Sequence, residues 1–166
     1  MSPSAVSPLR AASILAMVAL ASGAVWAGLT GMDKGAVWVG APTVALTTLA
    51  AARAGLPAMA PRLVGIPGFT AAYLVELARS AIDLALRLSR RDPGFAPGLV
   101  AYRVRLRSEG ARAALMNAVS LTPGSLSVSL RGDWLIVHSL DGDRPDVRES
   151  LTRLENLVAQ LYGEGA

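Results

Sequence analysis

The chain has 166 residues, no cysteine and a formal net charge of +4, and 52% of its residues are hydrophobic. Without cysteine there is no disulfide, no thiolate chemistry and no Cys-ligated metal; with one histidine, neither a histidine metal cluster nor a histidine-based catalytic dyad has the residues it needs. The positive charge is local, with seven Arg and two Asp in residues 79–107, while the stretch from Asp133 to Glu149 is net acidic, which argues against a nucleic-acid partner.

Charge is missing altogether from two early stretches. No residue between Arg10 and Asp33 is charged, and none between Lys34 and Arg53. As helices these runs of about 22 and about 18 residues are long enough to cross a bilayer, the second only if it starts at Lys34. Gly31-Met32-Asp33-Lys34-Gly35 makes a polar turn between them. The spacing predicts a transmembrane hairpin over 1–54, with spans at about 11–32 and 35–53. Arg10 and Ala19-Leu20-Ala21 also fit a cleavable signal peptide, but the apolar run continues past Ala21 and a second one follows.

All other basic residues follow the second span, so the positive-inside rule puts the C-terminal portion in the cytoplasm. The N-terminus is then on the same side, and Asp33-Lys34 faces outward. Trp26 and Trp38 flank that turn, where an aromatic belt sits. Ala24/Gly28, Ala27/Gly31 and Thr43/Thr47 are each four apart, a spacing that suits close helix contact and hydroxyl bonds across it. Pro42 lies one turn into the second helix.

Residues 55–68, with Pro57, Pro61 and Pro67 and several glycines, read as a linker. An amphipathic helix is expected over 69–91. Glu76, Arg79, Asp83 and Arg87 follow at steps of three, four and four, forming one charged stripe of consecutive ion pairs on an otherwise apolar surface. Such a helix fits a membrane interface or a packing site among membrane helices, and it is also long enough for a third crossing. Carboxylates inside a membrane point to ion pathways; here each has an arginine neighbour, which favours a structural stripe. The basic residues at its end suit anionic lipid headgroups.

From 99 to 163 the pattern is β-α-β-β-α. Leu99 to Arg107 alternates, with Val100, Tyr102, Val104 and Leu106 on one face. Ser108 can cap a helix carrying Ala111, Ala114, Leu115, Ala118 and Val119. Thr122-Pro123-Gly124-Ser125 stops it; proline at the second and glycine at the third position suit a type II turn. Leu126, Val128 and Leu130 alternate in a second strand, expected to face the core. After the tight turn Arg131-Gly132-Asp133, Trp134, Ile136, His138 and Leu140 alternate in a third strand, and the two form a hairpin. Asp141-Gly142-Asp143, a turn that could also contact a divalent ion, opens a last helix with Val147, Leu151, Leu154, Val158 and Leu161 in one stripe. The fold class expected is a membrane α-helical hairpin plus an amphipathic helix, followed by a small cytoplasmic α+β domain with helices on one sheet face.

These pieces together resemble the small E-type component of the multi-subunit Mrp/Mnh-type monovalent cation (Na+)/proton antiporters. The resemblance covers nearly the whole chain. It is diffuse in the hairpin and moderate in Glu76-Leu77-Ala78-Arg79-Ser80 and Asp83-Leu84-Ala85-Leu86-Arg87. It is most specific from Leu121 through the Thr122-Pro123-Gly124 turn to Leu135-Ile136-Val137-His138-Ser139-Leu140-Asp141. Family members often carry Asn directly after Glu-Leu-x-x-Ser; this chain has Ala81, which removes a hydrogen-bonding side chain there.

The resemblance implies an accessory membrane subunit needed for assembly and full activity, in a bacterial inner membrane with both termini cytoplasmic. The ion path would lie in large subunits similar to the antiporter-like subunits of respiratory complex I. The partners implied are those other subunits and membrane lipids. The alternative is a membrane-tethered binding or regulatory module that works alone. No phosphate loop or catalytic constellation supports an enzyme, and no cofactor is implied. The candidate residues are therefore assembly or structural ones: Thr122, Pro123, Gly124, His138, Glu76, Arg79 and Asp83. For His138 the expectation is a strand histidine with a satisfied hydrogen bond.

Overall fold

In the computed structural model the described residues are 8–31, 33–55, 60–142 and 145–164. They fall in two compact units, residues 1–60 and 61–166.

The first unit is a pair of packed helices, α1 (Pro8–Thr30) and α2 (Val37–Arg53). Gly31, with φ 63°, ends α1 in the left-handed conformation that costs glycine nothing. A 3-10 turn over Lys34–Ala36 starts the return. Among the described residues, one helix, Ala11–Thr30, is long and apolar enough to cross a membrane by length and composition. With 17 residues α2 falls just short of that length, and the apolar run that forms it is the shorter of the two.

The contact that joins the helices is not one that the small-residue spacings indicate. The Trp26 indole N–H donates to Ala36 O at 3.2 Å, and the ring lies against Gly40 so closely that a Cβ there would overlap it. Gly40 is buried, whereas Gly28 meets nothing on its open side. Thr43 and Thr47 do not reach across; their hydroxyls donate to Val39 O and Val44 O of their own helix at 2.8 and 2.9 Å. A hydroxyl three or four residues from a carbonyl on the same helix has a partner in reach before any neighbouring helix arrives.

Gly40→Leu should therefore push the helices apart, lowering hairpin stability by about 1–3 kcal/mol as in overpacked cores, measured by SDS-induced unfolding in detergent micelles. Combining it with Trp26→Ala, which vacates the space, should recover most of the loss. An unchanged single variant would show that the two helices do not close around Trp26.

The second unit begins with a 3-10 turn at Leu63–Gly65 and α3 (Ile66–Leu88). The helix starts before Phe69 because Pro67 sits in its first turn, where the missing N–H has no helical partner to lose. Next come β1 (Gly98–Arg103), α4 (Glu109–Leu121), β2 (Ser125–Arg131), β3 (Trp134–Ser139) and α5 (Pro145–Tyr162). The order β-α-β-β-α is the expected one. The three strands form an antiparallel sheet in the order β1-β3-β2. Ser108 caps α4 by accepting from the Ala111 N–H at 3.3 Å.

Val100, Tyr102, Leu135 and Val137 of the sheet meet Ala111, Leu115 and Val119 of α4 and Leu151, Leu154 and Val158 of α5 in one buried cluster. Val104 and Leu106 are buried too, although pairing by residue ends at Arg103. Val104 N–H still reaches Asp133 O at 2.8 Å, and further on the chain is held by side chains: Glu164 accepts from the N–H groups of Arg107 and Ser108 at 2.6 and 3.0 Å. Burial alone would raise the Glu164 pKa, but those two bonds outweigh it and hold the pKa below the usual glutamate value.

Two strand faces differ from the expectation. Trp134 is exposed and Leu135 and Val137 are buried, so Trp134, Ile136 and His138 lie on the open face of the sheet. Apolar residues occupy both parities of this strand, so alternation cannot choose a face; the register does, setting Leu135 opposite Tyr102 and Val137 opposite Val100. In β2 the ladder is irregular between Ser127 and Ser129. The extra residue, Val128, shifts the parity. Leu126 thus pairs with His138 on the open face, and Leu130 pairs with Leu135 on the core face.

Candidate functional site

Six of the seven candidate residues come together around one polar cavity of about 240 Å³ in the second unit. Glu76, Arg79 and Asp83 line it from α3, Thr122, Pro123 and Gly124 from the turn after α4. Ser139, Leu140 and Asp141 close one side, and Asp146, Ser150 and Arg153 of α5 another. His138 is apart from it, half-buried on the open sheet face opposite Leu99 and Leu126, with no hydrogen bond from its ring to any described residue.

Glu76 and Arg87 of the charged stripe of α3 face the folded domain, while Arg79 and Asp83 are largely exposed. Glu76 is buried at 6% exposure. Its Oε1 accepts from Ser150 Oγ at 3.1 Å and from Arg153 Nη2 and Nε at 2.9 and 3.2 Å. Arg79, the neighbour that the helical spacing offers, stands 4.0 Å from the other carboxylate oxygen with its side chain largely in solvent. A buried carboxylate needs a close donor, and α5 supplies it better than the adjacent turn of α3.

About two helical turns beyond Arg79, Arg87 holds two acids at once. Its Nε donates to Asp83 at 2.8 Å, and its Nη1 reaches Asp141 Oδ1 and Oδ2 at 2.6 and 2.8 Å. The hydrogen bond to Asp83, working against burial and joined by the pull of Asp141, raises the Arg87 pKa. For Arg153 the bond to Glu76 is the main cause of the same upward shift. Each of these guanidinium groups stays charged at any physiological pH.

The Thr122-Pro123-Gly124-Ser125 turn has the expected geometry. Thr122 is extended at ψ 124°, as a residue before proline prefers. Gly124 has φ 86°, and the Ser125 N–H closes on Thr122 O at 3.2 Å. The turn is internal: Thr122 is 5% exposed, and its hydroxyl donates to Ala118 O at 2.8 Å. Tyr73 of α3 donates to the same carbonyl at 2.8 Å, and Phe69 stacks on Tyr73 with ring centres 5.5 Å apart. Burial raises the Tyr73 pKa, partly offset by a hydrogen bond with Thr122.

The arrangement is a set of ties between α3 and the domain. Its carboxylates are satisfied by arginines, and among the described residues no group of three acidic or histidine side chains could hold a metal. Asp143 of the possible Asp141-Gly142-Asp143 contact lies outside the described residues, and Asp141 is engaged by Arg87. In the first unit an apolar groove of about 850 Å³ runs between α1 and α2, lined by small and aliphatic residues with Asp33 near the turn.

Residues 19–161 match the family described as MNHE, Na+/H+ ion antiporter subunit. A 98-residue stretch, 56% of this chain, is 26% identical to an antiporter subunit named mnhE2 from Staphylococcus haemolyticus (strain JCSC1435). A stretch of the same length is 28% identical to the mnhE2 subunit of Staphylococcus epidermidis (strain ATCC 12228 / FDA PCI 1200). In both cases the chain spans 61% of the relative's length. A chain in the Mrp complex from Dietzia sp. DQ12-45-1b is 25% identical over 57% of this chain and 93% of its own, with a TM-score of 0.44. A chain in the membrane-bound sulfane sulfur reductase, an archaeal respiratory membrane complex, shares the fold. It has a TM-score of 0.55 at 19% identity, over 84% of this chain and 98% of its own.

Proposed function

We propose, from the premise that this chain belongs to the MNHE family of Na+/H+ ion antiporter subunits, that it is an accessory membrane subunit of a multi-subunit cation/proton antiporter and carries no ion path itself. The observation that carries the accessory role is where the charged groups are. Residues 11–30 of α1 and 37–52 of α2 contain no ionisable side chain, and a proton or sodium relay needs such groups. The carboxylates of α3 are already held by arginines of the same unit. What remains is a membrane segment and a helix tied to a folded domain.

In this reading the chain sits in the bacterial inner membrane as a two-span hairpin. Both termini are cytoplasmic and Asp33 is outside, with the arginines after Arg53 on the inner side. The other subunits of the antiporter are its protein partners and the surrounding lipids its solvent. The Thr122-Pro123-Gly124 turn acts on assembly through α3, which it helps to seat, since Thr122 itself is buried.

Expressed with its neighbouring genes and purified in mild detergent, the tagged chain should bring down large, many-span antiporter-like proteins. Purified alone into liposomes it should show no cation/proton exchange. Robust exchange by the single chain would overturn the accessory role. The absence of cysteine allows a clean topology test with an impermeant thiol reagent in intact cells. Asp33→Cys should label from outside, and Gly163→Cys only after lysis.

A further inference from the structure

We propose that α3 lies flat on the bilayer surface and seats the folded domain there, with its outward apolar arc at the boundary between headgroups and acyl chains. Leu74, Val75, Ile82 and Leu86 are 50–60% exposed on α3. On a helical projection they fall with Ala71, Ala78 and Ala85 in an arc roughly 120° wide that contains no charge. Of the charged stripe, Glu76 and Arg87 are turned onto the domain, while Arg79 and Asp83 stay largely in solvent. An apolar arc that wide on a soluble protein marks an interaction surface.

Three ties fix the orientation. Tyr73 to Ala118, Glu76 to Arg153 and Arg87 to Asp141 are spread over the helix. Tyr73 and Arg87 are 14 residues apart, or about 21 Å along the axis. A helix held against a domain along that length cannot be threaded through hydrocarbon, where the domain's polar surface would have to follow.

The same chain says what covers the arc. It belongs to a membrane-subunit family and carries a helix apolar enough to cross a bilayer. Arg90 and Arg91, both exposed just past the end of α3, suit anionic headgroups. The proposal rests on membrane attachment and is independent of the accessory role.

The test is spin-label depth measurement on the full-length chain in vesicles of phosphatidylcholine and phosphatidylglycerol, with single labels at Leu74→Cys, Ile82→Cys and Leu86→Cys. Glu109→Cys, at the exposed start of α4, serves as the aqueous reference. All three α3 labels should show a several-fold higher ratio of oxygen to nickel-chelate accessibility than the reference, at one common shallow depth. A graded depth, with Leu74 and Leu86 separated by about 18 Å, would make α3 a third crossing and overturn the proposal. Accessibility to the nickel chelate at the level of the reference, or protection from both colliders by a covering protein or second copy, would overturn it equally.

Discussion

Replacing Glu155 with alanine should destabilise the domain by about 2–3 kcal/mol, the cost of leaving the Tyr102 hydroxyl and the Arg105 N–H without their charged acceptor while Arg105 itself stays solvated. Glu155 is 1% exposed on α5. Its carboxylate accepts from Tyr102 Oη and Arg105 Nε, both at 2.8 Å, and from the Arg105 N–H at 2.5 Å. That last bond takes over where β1 stops pairing, so Glu155 does for Arg105 what a neighbouring strand would otherwise do. The expected readout is a large drop in the thermal midpoint of the near-UV signal. Glu155→Gln keeps an acceptor oxygen and should lose less than half as much. Equal losses for the two variants would show that charge, and not hydrogen-bond geometry, holds the site.

The second large effect is expected at Glu76. Glu76→Ala leaves Arg153 and Ser150 without their shared acceptor, at a cost of about 2 kcal/mol for hydrogen bonds to a charged group. The loss is local. Amide exchange should rise over 66–88 while β1, β2 and β3 stay protected, because α3 meets the sheet core only at its edge, through Phe69 and Tyr73. In the assembled antiporter, poor seating of α3 should reduce both co-purification and exchange. Glu76→Gln, which can still accept from Ser150 and Arg153, should retain most transport. Normal assembly with complete loss of cation/proton exchange in Glu76→Gln would put this carboxylate on the ion path and defeat the structural reading.

The two glutamates show where a linear sequence is readable and where it is not. Glu76 stands out because its i+3 and i+7 neighbours complete a charged stripe, yet helical spacing names Arg79 as partner while the structure supplies Arg153, 77 residues on. Helical periodicity reports only what lies on the same helix. Glu155 carries a signal of its own kind: it falls within the apolar stripe of α5, one turn after Leu151. A charge on a face otherwise made for burial must have a dedicated donor, although nothing in the sequence names Tyr102 or Arg105. The helices α4 and α5, the Ser108 cap and the Pro123-Gly124 turn were legible because local chemistry decides each of them. The faces of β2 and β3 were not, because a single extra residue at Val128 inverts the parity and pairing fixes the rest. Trp26 against Gly40 was hidden for a similar reason: small residues are abundant in both helices, and only the position of the indole selects one of them.

The long separation of these ties also sets an order of events during synthesis. At roughly 5–20 residues per second, the 77 residues between Glu76 and Arg153 take roughly 4 to 15 s to be made. For that interval α3 has left the ribosome before its acceptor helix exists, with Glu76 lacking the arginine that will bury it and with its leucines bare. Helix formation itself is complete in about a microsecond, so the helix waits for the domain and not the reverse. The nascent chain is therefore most exposed to misassembly after α3 and before α5. A ribosome that stalls or terminates in that window releases α1 and α2 followed by an amphipathic helix with nothing to clasp.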